Sequence, residues 1–191
     1  YNKAKNAALH GRELAEKWQQ EVNYLQSIRE FINLAETLLD LKEIEQELTS
    51  QDLIKSSNYP FSKKETKDKI KLSEFISSDG LSILVGKNNR QNEFLLKIAD
   101  PEDIWLHALN IPGSHVLIKV PQNLKEVPET TLHEAVYVAA YYSQGKESSN
   151  VSVVFTKKRF VKKPSGSKPG FVIFTHEKTL VVNPDKDKLP E

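Results

Sequence analysis

The chain has 191 residues, 38% of them hydrophobic and 28% charged, with a formal net charge of +1. That length holds one good domain with an appendage, or two small ones, and the composition suits a soluble protein with a large exposed surface. The lack of cysteine excludes disulfides, thiolate metal sites and a cysteine nucleophile, and it fits an intracellular protein. No apolar run is long enough to span a bilayer and no charged-then-apolar leader is seen, so no membrane partner is expected. A start at Tyr1 and the absence of methionine read as a piece of a longer protein.

The balanced charge hides a segregation. Residues 1–50 carry six Lys/Arg against nine Asp/Glu, a net of −3. Residues 151–183 carry seven (Lys157, Lys158, Arg159, Lys162, Lys163, Lys168, Lys178) against Glu177 alone, a net of +6. One concentrated basic segment points to a localised anion-binding surface, with a solvated charged loop as the plainer alternative.

In chain order, residues 3–39 predict one long helix. Ala4, Ala7, Gly11, Leu14, Trp18, Glu21, Leu25, Ile28, Ile32, Ala35 and Leu39 follow the 3-4 spacing of a heptad seam. Such a helix runs roughly 50 Å. A short amphipathic segment with Leu41, Ile44 and Leu48 on one side follows, too short to cover the seam, so the arm (1–54) needs a partner beyond it. Residues 55–71, Lys-rich and interrupted by Pro60, read as a linker. From Ser73 the pattern becomes β. Residues 81–86 and 93–99 flank an Asn-rich turn and predict a hairpin; residues 103–108 and 115–120 predict a second around Pro112-Gly113. Residues 131–142 predict a helix with Leu132, Ala135, Val136 and Ala139 on one face and Thr130 or Thr131 as its cap. Residues 151–156, 170–175 and 179–182 are further strands, and 157–169 a basic loop. The expected fold is α+β: a mainly antiparallel sheet with a packed helix at 72–191, preceded by a long helical coiled-coil arm.

Alternation in 103–108 puts Ile104, Leu106 and Ala108 on one strand face and Asp103, Trp105 and His107 on the other. In the next strand Val116, Ile118 and Val120 fit the core and leave His115, Leu117 and Lys119 opposite. Pairing of the two strands brings His107 and His115 together near Trp105. A two-His-one-carboxylate metal site, a His–Asp acid/base pair, and base stacking on Trp105 are the functional readings. The plainer reading has Trp105 and His107 packed under a helix. The turn GKNNRQN (86–92) is richer in planar polar groups than a turn requires. Asn supplies positive φ cheaply, but Lys87, Asn88, Asn89, Arg90 and Asn92 together suit phosphates and base or sugar edges. It is not a nucleotide P-loop: GxxxxGK is absent and a strand, not a helix, is expected next. In KKRFVKKPSGSKPGF (157–171), Lys157, Lys158, Arg159, Lys162, Lys163 and Lys168 interleave with Phe160 and Pro/Gly, a pattern that a phosphate backbone selects. No catalytic residue, metal or cofactor is assigned.

Taken in order, SSDGLSILVGKNNRQNE (77–93), DIWLHALNIPGSHVLI (103–118), EAVYVAAYYS (134–143) and KKPSGSKPGFVIF (162–174) resemble the NFACT-R domain of ribosome quality control proteins. These are the NEMF-type proteins and their bacterial homologues, once called fibronectin-binding protein A-like. The resemblance extends over about 72–185, with the helices before it looking like part of the family's coiled-coil arm. It implies a cytoplasmic, non-enzymatic RNA-binding module that helps to bind a large ribosomal subunit holding stalled peptidyl-tRNA. It further implies recruitment of a charged tRNA, alanyl in bacteria, for untemplated C-terminal tailing. The family's N-terminal NFACT domain, with an Asp-Arg pair tied to tailing, and its helix-hairpin-helix domain are expected to lie outside this sequence. The implied partners are the large subunit, tRNA and the rest of the same polypeptide through the coiled coil. A protein-interaction scaffold and a surface fibronectin-binding adhesin are the alternatives.

Overall fold

The computed structural model describes residues 2–55 and 70–191; most of the expected linker lies outside the described residues. The helical arm is an αα-hairpin. Helix α1 (Asn2–Leu34) ends before Thr37, whose hydroxyl accepts from the Asp40 amide at 3.1 Å. The Asp40 carboxylate in turn accepts from the Thr37 amide at 2.9 Å. This capping box starts a new helix, α2 (Leu38–Ser50), which folds back on α1. One helix through 39 was expected; the box breaks it at 35–37 because it satisfies the amides that a continuous helix would have used. The buried stripe is also rotated from the expected seam. Tyr24, Ile28 and Phe31 pack on Ile44 and Leu48, whereas Leu14, Trp18, Leu25 and Ile32 remain exposed.

The β domain is a six-stranded sheet. Its strands are β1 (Ser73–Ile76), β2 (Ser82–Val85), β3 (Ile104–Ala108), β4 (Val116–Ile118), β5 (Val151–Lys157) and β8 (Lys178–Val182). They lie in the order β1-β2-β4-β3-β5-β8, with every neighbouring pair antiparallel. A separate ribbon pairs β6 (Val161–Lys162) with β7 (Ile173–Phe174). Helix α4 (Glu129–Tyr141) covers one sheet face, burying Ala135, Val136 and Ala139 against Ile83, Leu106, Val116 and Ile118. Neither Thr130 nor Thr131 caps it; Pro128 stands at the N-cap, and Asp79 reaches across from the β1–β2 turn to accept from the Thr131 amide and hydroxyl. The opposite face is covered as well. Trp105, Leu117 and Val154 pack there against Leu95, Val161 and Phe174.

Leu95 belongs to the main departure from the sequence reading. Residues 93–99 were expected as a strand, and they form helix α3 (Asn89–Ile98) instead. Asn88 is its N-cap, accepting from the Gln91 amide at 2.8 Å, while the Gln91 side chain accepts from the Lys87 amide at 2.8 Å. The Asn-x-x-Gln pair is thus a helix start rather than a hairpin turn. Strand β2 finds its partner in β4, with Ile83 opposite Ile118. The chain therefore runs strand–turn–helix at GKNNRQN, but the amides that a P-loop would offer to phosphate are already taken by Asn88 and Gln91. Replacing Asn88 by Ala should destabilise the domain by about 1–2 kcal/mol, the cost of losing a cap. Denaturant unfolding with a lowered midpoint and unchanged slope checks this; an unchanged midpoint would show the cap to be dispensable.

Candidate nucleic-acid interface

Three groups of residues were expected to contact RNA, and the structure gives each a different setting. The first, residues 87–92, lies against the arm. The Lys87 ammonium sits 2.6 Å from the Glu36 carboxylate and 5.0 Å over the Tyr142 ring. Asn88 and Gln91 both donate to Glu43 Oε2, at 2.7 and 2.6 Å. Asn89 donates to the Ser27 hydroxyl at 2.9 Å and Arg90 to Gln46 at 3.1 Å. Asn92 instead accepts from the His115 amide at 2.9 Å, tying α3 to the start of β4. That approach requires Gly86, since a Cβ there would lie 2.3 Å from Asn92 Oδ1. Four of these side chains, Asn88, Asn89, Gln91 and Asn92, are buried. The planar polar groups are a joint between arm and sheet domain. A buried amide whose donors and acceptor are spent inside the protein has little left to offer a base edge.

Glu47 lies at the centre of the joint. It is fully buried, one oxygen accepting from the Tyr24 hydroxyl at 2.9 Å and the other having no hydrogen-bond partner among the described residues. Burial raises its pKa above the usual carboxylate range, with Tyr24, Asn89 and Arg90 pulling the other way. Sequence analysis placed Glu21 in the heptad seam and assigned no role to Glu36, Glu43 or Glu47. The net −3 of the arm was a partial signal: Glu21 meets Lys168 of the basic C-terminal segment, whereas Glu36 and Glu43 meet residues 87–91.

The second group surrounds Trp105. Its indole is 1% exposed, with the His107 ring stacked at 5.9 Å, His115 edge-on at 5.2 Å and Phe174 tilted at 5.2 Å. The sequence reading brought His107 and His115 together, and their rings do meet edge-to-face at 5.2 Å. Burial holds the pKa of His107 below the ordinary imidazole value, and burial followed by the neighbouring His107 holds His115 well below it. Both rings are therefore neutral near pH 7. The Asp103 carboxylate does not join them. It is buried and accepts from Lys119 at 2.6 Å, the Val120 amide at 2.9 Å and the Asp100 amide at 2.8 Å. Neither the His–Asp pair nor the two-His-one-carboxylate arrangement forms, and no cluster among the described residues is placed to hold a metal ion. The packed reading describes Trp105; a base has no open indole face to stack on.

The third group is the basic run that leaves β5, passes through a single 3-10 turn (Lys158–Phe160) and enters the ribbon. Lys157 and Arg159 both engage Glu102 at 2.7 Å, Lys163 engages Glu93 at 2.6 Å, and Lys168 reaches Glu21 on the arm at 2.9 Å. Lys158 and Lys162 form no ion pair among the described residues. This is the part of the expected site that keeps free cationic charge at the surface.

An antiparallel sheet covered on both faces, with a cationic ribbon beside it, is an α+β fold. Comparison with known proteins narrows the class. Residues 71–175 match the family model described as the NFACT protein RNA binding domain, and residues 1–69 match the model of the NFACT N-terminal and middle domains. The chain belongs to the NFACT family. The helical arm falls within the residues matched by the second of these models. A protein of Bacillus subtilis called Rqc2 homolog RqcH is 42% identical over 188 residues, covering 98% of this chain and 32% of that protein. The protein of the same name from Streptococcus pneumoniae is 37% identical over 191 residues, with 99% and 33% covered. The solved C-terminal part of the fibronectin/fibrinogen-binding protein from Streptococcus suis superposes with a TM-score of 0.87 at 34% identity, covering 99% of this chain and 74% of that one. The chain spans about a third of the length of the curated relatives it matches. No helix among the described residues is long and apolar enough to cross a membrane.

The buried titratable groups set two opposing pH dependences. His107 and His115, with depressed pKa values, lend stability that is lost as pH falls below the 6.5 of the unfolded imidazole. Glu47, with a raised value, lends stability that is present below the unfolded 4.5 and lost as pH rises through the folded value. Replacing Glu47 by Gln keeps an acceptor for Tyr24 and removes the buried charge. Melting curves between pH 5 and 8 should show this variant matching the parent at the acid end and exceeding it at pH 8. A variant that melts lower at pH 8 would mean that the ionised carboxylate stabilises the joint. In NMR spectra, the His115 ring should remain unprotonated as pH falls through 6.5.

Proposed function

We propose that this chain is the arm-bearing, RNA-facing part of a ribosome quality control factor. In this reading the whole protein engages the large ribosomal subunit that still carries peptidyl-tRNA and recruits charged tRNA for untemplated alanine tailing, in the cytoplasm. Peptide-bond formation belongs to the ribosome, and this part binds and positions. The observation that carries the reading is the unpaired cations Lys158, in the 3-10 turn, and Lys162, in the ribbon, on a domain matched by an RNA-binding family model. The relatives named Rqc2 homolog RqcH, similar over nearly all of this chain, support the cellular setting.

The RNA-contacting set then contracts to Lys157, Lys158, Arg159, Lys162, Lys163 and Lys168. Lys87, Asn88, Asn89, Arg90 and Asn92 hold the arm and helix α3, and Trp105, His107 and His115 hold the sheet under the ribbon. A second reading, a protein-interaction arm, has its own support in Leu14, Trp18, Leu25 and Ile32, which α1 leaves exposed. The adhesin alternative rests on the name of the Streptococcus suis protein alone.

Reversing both Lys158 and Lys162 to Glu should weaken tRNA binding at least tenfold at low salt. It should also flatten the dependence of affinity on salt by about two ion equivalents. The same reversal at Lys125, in the loop before α4, should change affinity less than twofold. Fluorescence anisotropy with labelled tRNA over a salt series reads both quantities. Equal losses at both places would reduce the effect to net charge, and no loss at the ribbon would remove it from the interface.

A further inference from the structure

Phe160 lies among the cations of the basic run, and the fold stacks on it a second ring that is distant in sequence. The His176 imidazole lies 4.3 Å from the Phe160 ring, at an interplanar angle of 24°. On the same segment the Arg159 guanidinium carbon sits 5.1 Å over the Phe160 ring. Guanidinium, benzyl ring and imidazole thus make a short stack beside the ribbon, with His176 exposed at its outer end.

The stack is held in place. The Thr175 amide donates to the Phe160 carbonyl at 3.2 Å, and the Thr156 hydroxyl donates to the carbonyls of Thr175 at 3.0 Å and His176 at 3.3 Å. His176 Nδ1 lies 3.0 Å from the Thr175 hydroxyl, which sets the ring's rotation. Its backbone is left-handed, with φ 58, a region that favours Gly and, among the other residues, Asn, Asp and His. The other non-glycine residues of positive φ among the described residues are Asp52, Asn110 and Asn150, small polar types suited to turns.

We propose that Arg159, Phe160 and His176 form a stacking platform for an unpaired nucleobase of single-stranded RNA, an assignment that rests on the RNA-binding reading above. A base is flat and presents a π-face to the open side of His176, and its flanking phosphates meet the free charge of Lys158 and Lys162. Base-on-aromatic stacking tolerates any sequence, because every base has a π-face. Helical RNA keeps its bases inside the stack, so the platform selects loops, bulges and ends. The platform is preorganised, so binding does not have to order the rings. It also takes over the role that sequence analysis gave to Trp105, whose ring faces are covered.

The test uses the full chain with a single-stranded oligoribonucleotide carrying one 2-aminopurine, and the same strand annealed into a blunt duplex. His176→Asn suits the left-handed backbone and removes the ring; Phe160→Leu keeps an apolar packing group and removes the aromatic face. Each variant should bind the single strand about tenfold more weakly and lose the 2-aminopurine quenching, with duplex affinity within twofold of the parent. Unchanged single-strand affinity and quenching in both variants overturns the platform, while the Lys158 and Lys162 reversals still report on the wider interface. Equal losses on single strand and duplex also overturn it, since the rings would then act through charge or folding. If the parent binds neither RNA, the platform and the RNA-binding reading fall together.

Discussion

The Glu43 carboxylate accepts hydrogen bonds on one oxygen from both Asn88 and Gln91, and much of the structure depends on that meeting point. Glu43 belongs to the arm, and the two amides belong to the cap of α3. The same contact therefore fixes where α3 begins and where the arm rests. Around it Ser27, Glu36 and Gln46 add further polar contacts, and the buried Glu47 sits among them. The ion pair among these contacts, Lys87 with the half-exposed Glu36, contributes about 0–1 kcal/mol. The buried amides matter more, because pulling the joint apart without water's access leaves each one unsatisfied at about 1–3 kcal/mol.

The sheet was legible where hydrophobic alternation had one interpretation. Ile104, Leu106, Val116 and Ile118 face one core, Trp105 and Leu117 the other, and the register pairs Trp105 with Leu117 as a two-strand reading implies. It was illegible where a short apolar run, Phe94-Leu95-Leu96, has no clear period. The cap chemistry of Asn88 and Gln91 was the signal that settles such a run, and an Asn-rich turn masked it. The arm seam failed for a different reason. Leu25 and Ile32 follow the heptad, yet α2 selects Tyr24 and Phe31, because the hydroxyl of Tyr24 finds Glu47 there.

Of the candidate site, the composition of the basic run was legible and the fate of its charges was not. Local sequence shows that Lys157 and Arg159 are cations; it does not show that Glu102 lies between them or that Glu21 of the arm meets Lys168. Such pairing depends on contacts between residues as far as 147 positions apart. The polar turn at 87–92 shows the same dependence on distant partners. The chemistry that suits an RNA, planar amides beside cations, equally suits an acidic helix of the same chain.

The arm's burial is confined to one end. Residues 3–20 of α1 are exposed throughout, and its buried contacts begin at Tyr24. Some 18 residues of helix, about 27 Å, thus extend beyond the anchored stretch as a lever whose fulcrum is the Glu43–Glu47 face. Each 5° of rotation at the fulcrum carries the far end through roughly 2–3 Å, by simple geometry on that helical rise. A substitution in the buried amides is thereby felt furthest from where it is made, as a change in the arm's direction.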